Sequence, residues 1–306
     1  MKKFIAITAL LCAMCVMFSC DNSSQPPVFK AGDDLAQAIA DLKSGETLYV
    51  TDDVDLDAPI TIPAGKAVVI QLTGDSEIEY EGSGSAFVVE DGGSLVIKGQ
   101  SAGSGKSMKD GAAGGTVIEA NEPVEALFKV GPGATLELEN VTLIGENKDN
   151  HGLIWFDNPE DVTSELVTKV ALTNVNAVAD KSIICPTYHN EATAACGATG
   201  GCSHPMNADI VIKGGKFTRT GTAYDSAILR KTIFVVGSKL TMEDVEIVSA
   251  VSPGVEISGS YLADAYPSWY GHNAGTSSIK NCTITNKATT GPYEDWMGSA
   301  VVVSQS

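Results

Sequence analysis

The sequence predicts an all-β repeat protein, a solenoid of stacked coils behind one short N-terminal helix. Three observations predict it. A five-residue pattern (apolar, any, apolar, polar, then Gly, Asn or Asp) occurs seven times between residues 70 and 281. Short apolar strands and glycine-rich links fill the intervals between copies. Helical spacing is confined to one segment, where Leu35, Ile39 and Leu42 follow Asp33-Asp34 and stop at Ser44-Gly45.

The chain opens on an address segment. Met1-Lys2-Lys3 is a cationic start, and residues 4–18 form an apolar run of fifteen. That is short for a bilayer span and suits the core of a signal peptide. Ser19-Cys20 closes the run and polar residues follow. A small residue before Cys at this place resembles a bacterial lipobox, although Met17 and Phe18 stand where such boxes carry Leu and a small residue. The resemblance implies cleavage after residue 19, acylation of Cys20 and stable attachment to a membrane of the cell envelope, with outer membrane or cell surface favoured. Ordinary secretory cleavage near Ser19 is the alternative. Residues 20–32 then read as a tether, and 33–306 as the folded domain.

The first strand is expected from Thr47 to Thr51. The repeat copies come next: Ile70-Gln71-Leu72-Thr73-Gly74, Leu95-Val96-Ile97-Lys98-Gly99, Leu136-Glu137-Leu138-Glu139-Asn140 and Val170-Ala171-Leu172-Thr173-Asn174. Ile210-Val211-Ile212-Lys213-Gly214, Leu240-Thr241-Met242-Glu243-Asp244 and a degenerate Ser277-Ser278-Ile279-Lys280-Asn281 complete the set. Alternation puts one face of each strand inside. Gly, Asn and Asp tolerate left-handed backbone, so each copy ends in a fixed corner. The corner residues lie 25, 41, 34, 40, 30 and 37 positions apart, which suits one three-sided coil per interval with loops of varied length. Further strands are expected at 86–89, 126–130, 153–156, 183–184, 233–236 and 301–303. An Ig-like or jelly-roll sandwich is the competing arrangement of such strands.

The repeated corner resembles the right-handed parallel β-helix of the pectate-lyase-like superfamily, across about residues 33–306. The segment 34–50 looks like the capping helix and first strand common there. The resemblance implies a fold and no activity. Uronan lyases of that group use clustered acids for calcium and an Arg or Lys base, yet this chain has only Arg219 and Arg230 and no Arg-x-Pro-x-x-Arg. Polygalacturonase-like members carry Asn-Thr-Asp, Asp-Asp, Gly-His-Gly and Arg-Ile-Lys on successive turns. Asp33-Asp34, Asp52-Asp53 and Gly271-His272-Asn273 do not reproduce that order.

Charge narrows the function classes. The chain carries 38 acidic against 20 basic side chains, a net charge of −18. Residues 21–161 hold 8 Lys against 26 acids (−18), and residues 162–306 hold 10 basic against 12 acidic groups (−2). Nucleic acid is excluded as a partner, since phosphates demand excess cations. Within Asp53-Val54-Asp55-Leu56-Asp57 and Glu77-Ile78-Glu79-Tyr80-Glu81 the acids alternate with apolar residues and share one strand face. Stacked on coils about 4.8 Å apart, these six carboxylates could hold calcium weakly or form a solvated face.

Four cysteines follow Cys20. Cys282 occupies a post-corner position like Val141, Val175 and Val245, which predicts a core thiol. Cys185, Cys196 and Cys202 belong to an insertion with His189 and His204. Export favours a disulfide there, Cys196–Cys202, over a zinc site whose spacing fits no usual pairing. Tyr266, Trp269, Tyr270 and Trp296, with His272, place flat rings beside polar groups, as glycan stacking needs; burial at a coil end is the other use of such rings. Asp225, Arg230, Lys231 and His272 offer the best acid–cation set for a polysaccharide lyase or glycoside hydrolase. The expected function is non-catalytic recognition of a glycan or another envelope component, with the enzyme as alternative and no cofactor beyond calcium.

Overall fold

The computed structural model describes residues 26–30, 32–100, 116–147, 151–157, 166–189, 202–203, 206–222, 231–258, 276–288 and 299–304. Cys20, expected to be acylated, and the expected cleavage point lie outside them. Among the described residues the fold is all-β, with two large parallel sheets and one short helix. No described helix is long and apolar enough to cross a membrane.

The helix Leu35–Asp41 forms where its spacing predicts. Asp34 caps it by accepting from Gln37 N at 3.1 Å, and Leu35 and Ile39 are buried. Its last carbonyls are met by Lys66 Nζ, which donates to Ile39 O and Ala40 O at 2.7 and 2.8 Å. The sheet starts earlier than expected, inside the stretch read as tether. Val28–Phe29 pairs with Thr47–Val50, and Phe29 is buried because its ring enters the core.

The copies of the pattern stack on one another in parallel register. Leu48, Ile70, Ile97, Leu138, Leu172, Ile212, Met242 and Ile279 are successive partners in one inward row of the larger sheet. The smaller sheet supplies a second row: Ile60, Phe87, Phe128, Ile154, Ile184, Ile233, Val255 and Val301. Both rows, apart from the exposed Val301 at the end of the second, feed or pack against one hydrophobic cluster that runs from Phe29 to Val255. Phe87 and Phe128 stack within it at 5.3 Å.

Six of the seven corners use left-handed backbone: Gly74, Asn140, Asn174, Gly214, Asp244 and Asn281, with φ from 52 to 68°. Two of them also join side chain to side chain, Asn174 Nδ2 donating to Asn140 Oδ1 at 3.2 Å. Gly99 differs. It has no positive φ, and a Cβ there would collide with the Asn140 carbonyl and the Thr116 side chain. Gly99 is therefore required by close approach of the next strand rather than by its own backbone.

The insertion after Pro186 includes the only antiparallel pair among the described residues. Tyr188–His189 lies against Cys202–Ser203, with His189 opposite Cys202. The expected Cys196–Cys202 bridge falls outside the described residues, since Cys196 is not among them. Cys282 packs against the core, and its thiol donates to Lys280 O at 3.2 Å.

Candidate functional site

Outward-facing residues of the smaller sheet form a row as regular as the core. Thr61, Val88, Lys129, Trp155 and Cys185 are successive register partners. Ile62, Val89, Val130 and Phe156 end the same strands, and the residues that follow them are Pro63, Glu90, Gly131 and Asp157. Gly131 is buried between Glu90 and Asp157, and its missing side chain lets the Asp91 turn approach closely. The Asp91 carboxylate fills that space, for a Cβ on Gly131 would lie 2.6 Å from Asp91 Oδ1. The result is a groove of ≈ 390 Å³ with Ala64 and Val88 as its accessible apolar groups and Glu90, Asp91, Lys129 and Asp157 as its charged groups; Val89 borders it with its side chain in the core.

Lys129 is held on two sides. Its ammonium pairs with Asp157 Oδ2 at 2.9 Å and lies 4.5 Å above the Trp155 ring. His151 stacks on that ring with centroids 3.8 Å apart. Trp155 Nε1 donates to Thr187 Oγ1 at 3.2 Å, and Thr187 Oγ1 donates to Phe156 O at 2.8 Å. The indole is only 6% exposed, so it orders the groove's charges and does not itself offer a stacking platform. Glu90 accepts a long hydrogen bond, 3.4 Å, from Ala64 N. Glu90 and Asp91 are both exposed.

Next along the outer face, Cys185 packs with Trp155 and Ala126. Burial pushes its thiol up to about 12, partly opposed by a hydrogen bond to the Gly152 backbone. Such a thiol is a poor nucleophile at neutral pH. Burial also raises Tyr80. Both groups keep their protons in the folded state after the unfolded chain has lost them. Stability is therefore expected to be full below about pH 9 and to fall as pH rises towards 12, by at most about 1.4 kcal/mol per unit for one group. Urea midpoints at about pH 8 and about pH 10.5 check this, and Cys185→Ala should make the alkaline decline shallower.

Of the acid–cation set expected for catalysis, Asp225, Arg230 and His272 lie outside the described residues. Lys231 is described and is 5% exposed. Its ammonium pairs with Glu256 Oε2 at 2.9 Å and sits 4.2 Å from the Phe234 ring centroid. The ring residues Tyr266, Trp269, Tyr270 and Trp296 also lie outside the described residues.

The acid stack is a second cluster. Asp55, Glu79 and Glu119 are register partners on three successive strands. Glu77, Glu79 and Glu119 each present an oxygen within 4.8 Å of the others. Asn121 Nδ2 donates to Glu79 Oε2 at 3.1 Å, and Asp53 Oδ1 accepts from Glu77 N at 3.0 Å. Asp53, Asp55, Asp57 and Glu81 do not join the convergent set, because they belong to other rows or to the next strand outward. Glu119, which does join it, follows an insertion that hides its register in the sequence. Like charges this close repel by about 1 kcal/mol per pair even at the dielectric of water. Glu119→Gln is accordingly expected to raise the melting temperature by about 2–4 °C in buffer without divalent ions, read by calorimetry.

Sequence reasoning also missed Lys129, Trp155, Asp157, Glu90 and Asp91. The signal was present. Aligning the strand ends at 86–89, 126–130 and 153–156 brings Val88, Lys129 and Trp155 to one outward position. Comparison of the chain with protein-family models, with curated proteins and with solved structures returns no match.

Proposed function

We propose that this chain is a lipid-anchored surface protein whose two sheets are sides of a single right-handed parallel β-helix of the pectate-lyase-like kind. We further propose that it binds a glycan or similar envelope component without cleaving it, in the groove at Gly131. Three features support the coil: the stacked copies, the left-handed corners and one core shared by both sheets. The groove carries the binding reading. Its volume lies at the lower end of ligand sites, and it sets apolar walls beside carboxylates that can accept from hydroxyls. Cleavage has less support, because the ammonium of Lys231 is already engaged by Glu256 away from open solvent.

A glycan array probed with the intact chain tests the reading. We expect at least one oligosaccharide to bind, with an affinity about ten-fold lower for Asp157→Asn and no release of reducing or unsaturated ends. An array with no bound glycan would sink the proposal, and released sugar ends would establish the enzyme instead.

The convergence of Glu77, Glu79 and Glu119 favours one addition, weak calcium binding at that cluster. Millimolar calcium should then raise the melting temperature of the natural chain and leave Glu119→Gln unmoved. Equal response of the two would refute it.

A further inference from the structure

We infer that the groove selects a glycan bearing protonated amines, such as a deacetylated hexosamine oligomer, over neutral or uronate-bearing ones. The inference rests on the glycan reading and adds the charge class of the ligand. Four groups carry the groove's charge, Glu90, Asp91, Asp157 and Lys129, so its balance is three acids against one base. The single base is committed. Lys129 bonds Asp157 at 2.9 Å and lies over Trp155, so its charge is already balanced within the groove. Glu90 and Asp91 remain as neighbouring exposed carboxylates on the turn after Ser85–Val89.

A uronate entering the groove would meet Glu90 and Asp91, two like charges that the self-balanced Lys129–Asp157 pair does not offset. An ammonium would meet their complement, and its three donors can be shared among separate oxygens. A bare divalent ion fits less well. Among the described residues the acids whose oxygens converge are Glu77, Glu79 and Glu119, which are not in the groove. The accessible apolar groups Ala64 and Val88 suit the C–H face of a sugar ring, which a metal would not use. Long-range charge acts in the same direction, because every groove residue belongs to residues 21–161, where 26 acids face 8 lysines.

Titration calorimetry on the intact chain tests the inference with three probes: glucosamine tetrasaccharide, its N-acetylated counterpart and tetragalacturonate. The amine form is expected to bind about ten-fold tighter than the acetylated form, with the galacturonate weakest. Raising the salt should narrow the gap. The exposed double substitution Glu90→Gln with Asp91→Asn should remove the preference and leave the melting temperature unchanged. Equal or tighter binding of the acetylated or uronate probe overturns the inference while leaving glycan recognition standing. A lysine-rich peptide, run as a further competitor, also overturns it if it binds tighter than any sugar. Failure of all three sugars, together with an empty array, overturns glycan recognition itself.

Discussion

Lys231→Met is expected to lower the unfolding free energy by about 3–5 kcal/mol. The lysine and Glu256 side chains are 7% and 9% exposed, and the ammonium also faces Phe234. Removing the cation strands a carboxylate in a site with little water. The cost is therefore mainly the price of an unpaired buried charge, and less the loss of an attractive contact. A second change, Glu256→Leu, should restore most of the stability, since apolar pairs of similar volume often replace buried ion pairs at no net cost. Urea unfolding of the single and double variants measures both steps. A single variant as stable as the natural chain would show that the pair is open to solvent.

Phe128→Ala is expected to cost about 3–5 kcal/mol. Phe128 is fully buried, stacks on Phe87 and is the register partner of both Phe87 and Ile154. In a stacked repeat each layer contacts mainly its neighbours, so the damage should be local. Hydrogen exchange is expected to quicken first in Ser85–Val89, Ala126–Val130 and Ile154–Phe156, with Thr47–Val50 least affected. Uniform loss of protection across the chain would argue against layered packing.

How far the sequence could be read depended on whether a residue's role was set locally. Asn140, Asn174 and Asp244 announce themselves because left-handed backbone selects few residue types, and each stands at a corner. The cap at Asp34 is equally local. Gly99 carries the same letter as Gly74 for another reason, the approach of the next strand, which only tertiary structure reveals. Lys231 reads as an exposed cation of a catalytic set until its partner Glu256, on the neighbouring strand of the smaller sheet, is brought against it. The groove stayed hidden because its members come from four strand ends, each unremarkable alone. Glu119 was obscured by an insertion of unknown register. The acidic balance of residues 21–161 was plain at once, but its use depends on Lys129 being neutralised by Asp157.

A crystal structure of the intact chain with the glycan that binds it most tightly would test the account most directly. The account predicts one right-handed coil, with a sugar ring against Val88 and its polar groups on Glu90, Asp91 and Asp157. A sugar seated elsewhere, or strands that do not close into a single right-handed coil, would contradict it.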